Sequence, residues 1–144
     1  MRSIISLLKD ILIKVKELAY SLGLIADYVI EIGIIDGWIY RKWNSGLAEC
    51  WRLYSCSVSK WSVWGNLYYA EIPSISYPLE FIEVPVQKVT FTTPAGSGWD
   101  CNCNNDVKST GLMQIMRNNS SGNSLSVRVH ITVVGLWENM RGGY

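Results

Sequence analysis

The chain has 144 residues, room for one domain and a short appendage, and carries a formal net charge of +1. Its basic residues are scattered and only 17% of all residues are charged, which leaves no electrostatic case for binding nucleic acid. Seven Trp and eight Tyr suit β-sheets and contact surfaces, while a single His removes most metal and acid–base arrangements.

The N-terminal segment reads as a helix. Apolar residues fall at Met1, Ile4, Leu8, Ile11, Val15, Leu18, Leu22, Ile25 and Val29 in steps of three and four, an unbroken heptad register. Met1, Leu8, Val15 and Leu22 take position a; Ile4, Ile11, Leu18 and Ile25 take position d. Ile5, Leu12, Ala19 and Ala26 follow at e, and Leu7 at g widens the stripe further. A two-stranded coil needs only a and d, so this width predicts three or more strands. Lys9, Asp10, Lys16 and Glu17 form a solvated face, and the helix is expected to run about 38 Å at ~1.5 Å per residue. The same charges exclude a transmembrane span, and Lys9 interrupts the apolar core of a signal peptide. The competing reading is an amphipathic helix packed on its own domain. Gly23 marks where the helix is expected to fray or end.

From Asp27 the period changes to β-type alternation. Trp38 to Trp43 reads as a strand, Asn44-Ser45-Gly46 as its turn, and Leu47 to Ser59 as the return strand of a hairpin. Lys60 to Asn66 reads as an aromatic loop, and Asn66 to Ile72 as a strand closed by Pro73. Leu79 to Val84, Val86 to Thr93, Trp99 to Asn104 and Gly111 to Arg117 are further expected strands. A polar loop, Asn118 to Asn123, precedes Ser124 to Trp137, whose Leu125, Val127, Val129, Ile131 and Val133 are predicted to face inward. About eight short strands with regularly spaced turns predict a mainly β fold: an antiparallel β-sandwich or jelly-roll head behind the helix.

The run Gly37-Trp38-Ile39-Tyr40-Arg41-Lys42-Trp43-Asn44-Ser45-Gly46-Leu47-Ala48-Glu49-Cys50-Trp51, with Ala26 to Glu31 before it, is distinctive. It resembles the W-x-Y-R-K-W-N-S-G-x-A-E-C-W signature of tail-fibre and baseplate proteins from phages and prophages of Firmicutes hosts. Val133-Val134-Gly135-Leu136-Trp137 is similar to that family's closing A-I-G-R-W, with Leu136 in place of the Arg. The resemblance covers roughly residues 26 to 137 and is weak in the middle. It implies a homotrimeric fibre tip that binds a host cell-surface receptor, a saccharide above all, with residues 1–26 as trimeric coiled-coil stalk and 27–144 as tip domain. It further implies a place in the virion, joined to the rest of the tail, after synthesis in the bacterial host cytoplasm, with no membrane insertion. The signature itself reads as scaffold: alternating Trp38, Tyr40, Trp43 and Trp51 build the hairpin, and Arg41 and Lys42 can meet Glu49 across the strands.

Two segments suit a sugar. Trp61, Trp64, Asn66, Tyr68 and Tyr69 offer rings for stacking and an amide for hydroxyls; the bland reading is that they fill the core or a subunit interface. Trp99, Asp100 and Asn104 lie in an Asn/Asp-rich stretch that can hold a sugar or turn in solvent, with spacing unlike a calcium loop. Cys50 and Cys56 sit too far apart on one strand to bond each other, and Cys101-x-Cys103 is a weak metal signal. The four thiols are expected to stay reduced, with a bridge between the two pairs as the alternative. His130 falls opposite the apolar face of its strand. No nucleophile, phosphate-loop or zinc motif is present, so the chain is expected to be a binding protein without catalytic residues, metal or cofactor. The alternatives are a purely structural trimerising or baseplate module, and a glycan-degrading tail enzyme, which requires two carboxyls across a cleft.

Overall fold

The structure is a computed structural model that describes residues 3–23, 27–93, 98–101, 105–118 and 124–139. It is mainly β, with one helix ahead of two antiparallel sheets.

Helix α1 spans Ile4–Ser21. The Ser3 side chain caps it by accepting from the Ser6 amide at 3.2 Å. Its end is set by Gly23 at φ +70°, whose amide donates to the Tyr20 carbonyl at 2.9 Å. Eighteen residues give about 27 Å, shorter than the heptad register alone predicts, because the helix starts after its Ser3 cap and the left-handed Gly23 stops it at the other end. Ile25 and Ala26 lie outside the described residues, as does Met1. No residue of α1 is buried. The helix therefore does not lay its stripe on its own head; its contacts there are a Tyr20–Tyr28 edge-to-face pair and Lys16 over the Tyr28 ring.

Nine strands follow among the described residues: β1 Val29–Ile35, β2 Trp38–Trp43, β3 Leu47–Val58, β4 Ser62–Trp64, β5 Leu67–Ile72, β6 Val86–Thr92, β7 Trp99–Cys101, β8 Met113–Arg117 and β9 Leu125–Leu136. One sheet has the order β1-β2-β3-β9-β6, the other β4-β5-β8-β7. Both contribute to one apolar core: Cys50, Val89 and the inward row Leu125 to Val133 from the first, Ala70, Ile72, Met113 and Ile115 from the second. The alternation read in β9 matches its burial at every inward position.

Three expectations are corrected. Val29–Ile35 is a full strand, joined to β2 by Asp36-Gly37 with both residues at positive φ, the hairpin turn that an Asp-Gly pair favours. Leu79 to Val84 is not a strand. Pro78 and Pro85 bracket it, Phe81 is buried as a plug against Tyr77, and its amides bond outward to Val107 and Leu136. Lys42 meets Glu31 on β1 at 3.0 Å; only Arg41 pairs with Glu49.

The signature residues close on one another at the helix end of the head. Asp27 accepts from the Tyr28 and Ser45 amides and from the Ser45 hydroxyl. Arg41 lies 5.4 Å from the ring centroids of both Trp43 and Trp51. Trp137 donates its amide to the Gly46 carbonyl at 3.0 Å, and Lys42 sits 4.7 Å from its ring centroid. Gly46, at φ +96°, leaves no room for a side chain: a Cβ there would meet the Glu138 carbonyl oxygen at 2.7 Å. The opening and closing motifs are thus two halves of one clamp.

Gly46→Ala is expected to destabilise the head by more than about 1 kcal/mol, through left-handed strain plus the clash; thermal denaturation reads this as a midpoint several degrees lower. Glu31 gives a pH prediction. Hydrogen bonds from Tyr40 and then Lys42 hold its carboxyl below the ordinary value of 4.5, so on acidification the unfolded chain takes up the proton first. Its stabilisation is complete above that value and is lost as pH falls through the folded one. Urea midpoints of Glu31→Gln should accordingly vary less than wild type between about pH 5 and 3.

Candidate functional site

The aromatic segment at 60–69 is a hairpin. Gly65-Asn66 form a two-residue turn, with Trp64 paired to Leu67 and Ser62 to Tyr69. This corrects the loop expected at Lys60 to Asn66. Residues directly opposite in neighbouring strands share a face. One such row runs Ser62, Tyr69, Met116, Trp99 across β4, β5, β8 and β7. Trp64 lies on the same face, opposite the core, with Trp64 and Trp99 exposed to 65% and 53%.

The register divides the residues singled out in the sequence. Trp64, Tyr69 and Trp99 come together on the outer face, and Asn66 sits exposed in the adjoining turn. Trp61 packs against the core, with the Arg117 guanidinium 3.7 Å from its ring centroid. Tyr68 pairs with Arg117 on that inner side. Asp100, opposite Ile115, is exposed on the short β7. Asn104 lies outside the described residues. Its neighbours serve the loop: Asn105 donates to the Pro85 carbonyl, and Asp106 accepts from the Lys108 and Ser109 amides at 2.7 and 2.6 Å. These amide bonds, first that from Lys108, hold the Asp106 carboxyl below its ordinary value.

Beside the aromatic face opens a cleft of about 630 Å³ lined by Lys60, Ser62, Tyr69, Glu71 and Leu112 among others. Gln114 approaches Glu71 at 3.5 Å. A ring face with a hydroxyl, a carboxylate and an ammonium around it can stack a sugar and take its hydroxyls. Among the described residues that line the cleft, Glu71 is the one carboxylate; glycoside hydrolysis uses a facing pair. The local aromatic pattern does not by itself join Glu71 to this surface. Alternation in Leu67–Ile72 was the available signal, since Tyr69 and Glu71 share the face opposite Ala70 and Ile72.

The residues expected to face partner helices, Ile4, Leu8, Ile11, Val15, Leu18 and Leu22, are all at least half exposed along α1 and its cap; Ile25 lies outside the described residues. Strand β1 points Ile32 and Ile34 outward and, among the described strands, pairs on one edge alone. Cys50 and Cys56 are free thiols; burial, then the Glu49 charge, pushes Cys50 up to about 12, so it stays neutral. His130 is exposed, with Nε2 3.3 Å from the Thr92 hydroxyl. Among the described residues no three His, Cys, Asp or Glu side chains gather as a metal site, and no helix is long and apolar enough to cross a membrane.

Comparisons with protein-family models, with curated proteins and with solved structures give no match for this chain.

Two tryptophans three residues apart should behave oppositely. Trp61→Ala removes the ring under Arg117 and is expected to destabilise the head by about 3 kcal/mol or more, whereas Trp64→Ala should stay within about 0.5 kcal/mol of wild type. Chemical denaturation of both variants checks this.

Proposed function

We propose that this chain is the receptor-binding tip of a phage or prophage tail fibre or baseplate, working as a homotrimer on the virion. The uncovered stripe of α1 carries the reading: an amphipathic helix whose apolar side chains from Ile4 to Leu22 stay in water within one chain needs partner helices. Apolar e positions favour three strands over two, and the exposed Ile32 and Ile34 of β1 extend the apolar surface onto the head. Strand order supports a jelly-roll head. First pairs with last in nested fashion, β3 with β9 and β5 with β8, the pairs alternating between sheets, while β6 adds to β9 and β7 to β8. The clamp between the opening and closing motifs fits the scaffold role that the family resemblance gives them.

The receptor is a host cell-surface saccharide, held by Trp64, Tyr69, Trp99 and the Lys60–Glu71 cleft. Each head supplies one weak site, and a three-headed stalk multiplies weak sites by effective concentration.

A glycan array and host-cell binding assay tests this. Wild type should bind, Trp64→Ala with Trp99→Ala should abolish binding, and Leu8→Lys with Ile11→Lys should weaken it by about 100-fold through lost avidity. A stable trimer that binds no cell or glycan would replace the reading with a purely structural module. Released reducing sugar, lost in Glu71→Gln, would replace it with an enzyme.

A further inference from the structure

The geometry points to a second binding site, for a hydroxylated anion such as a phosphate- or carboxylate-bearing sugar or polyol, at the end of the head farthest from the helix. β3 starts beside the clamp at Leu47, opposite Leu136, and ends at Val58, opposite Leu125. Its 12 residues carry the chain about 40 Å away. There β3 and β6 finish and β9 begins, and an open groove of about 600 Å³ lies over these three neighbouring strands, a size suited to a small ligand.

The lining is chemically one-sided. Arg128 supplies its charge, and the rest is hydroxyls, with the Cys56 thiol and Val127. Register places Arg128 between two hydroxyls, Ser55 on β3 and Thr92 on β6, with the Ser57–Ser126 pair beside them. Among the described residues no carboxylate lines the groove and none pairs with Arg128. The Thr92 hydroxyl is fixed by His130 at 3.3 Å, and Ser57 by Ser124 at 2.6 Å. A guanidinium presents a planar donor fork to a phosphate or carboxylate, and flanking hydroxyls both donate to and accept from a polyol. A neutral sugar leaves that fork unused. The site is separate from the aromatic cleft and does not depend on trimerisation.

Calorimetric titration of the full chain with glycerol 3-phosphate, glucuronate and glucose tests this. At least one of the two anions should bind and glucose should bind more weakly, the stronger anion telling phosphate from carboxylate. Arg128→Gln should weaken anion binding by about 10- to 100-fold, Ser126→Ala by less, and Trp64→Ala not at all. Circular dichroism confirms that the exposed Arg128→Gln variant is folded. Absence of binding by both anions, glucose binding as tight as the anions, or undiminished binding by Arg128→Gln would each overturn the site.

Discussion

The apolar stripe of α1 is the constraint around which the rest of the molecule is arranged. Its Leu, Ile and Val side chains lie at least half exposed from Ile4 to Leu22, and each is worth roughly 1.5–3 kcal/mol when fully buried. A helix of this length is marginal alone in water, and among the described residues its ring contacts with the head are to Tyr28. Partner helices are the covering we propose for it, in keeping with the heptad spacing. The clamp joins both ends of the head: Asp27 ties the incoming chain to the Ser45 turn, and Trp137 ties the last strand to the same turn. Load passed along a stalk would meet the head at its most cross-braced point.

Fixing the helix end also gives the head a direction. β1, β2, the start of β3 and the end of β9 gather there, with Arg41 held between Trp43 and Trp51. The other end of β3 and β9 carries hydroxyls and Arg128. The aromatic row of Tyr69, Met116 and Trp99 occupies the outer face of the second sheet. Apolar, structural chemistry thus collects near the helix, while groups suited to polar ligands collect elsewhere. This separation suits a protein that assembles through one end and reads a surface with the others.

Much of this was legible in residues whose period is clean. β9 alternates without a fault, so its inward face was readable. The β2–β3 hairpin carried a turn of Asn, Ser and Gly between aromatic runs, and the heptad stripe announced α1. Legibility failed where period and local chemistry parted. β1 is apolar at five of its seven positions, Glu31 and Gly33 apart, so it shows no clean alternation. Leu79 to Val84 has strand-like composition, but its prolines leave Phe81 as a plug. The outer-face row joins Ser62 to Met116, 54 positions apart in the chain, and the distal groove joins Ser55 to Arg128. Both depend on register between distant strands, which no local pattern encodes.

Sedimentation equilibrium of the full chain at micromolar concentration is the most direct measurement of the central claim. The account predicts a mass of three times 16.3 kDa, with α1 helical in the assembly. A monomer with a folded head and a stable α1 would contradict it, because the stripe would then stand in water unpartnered.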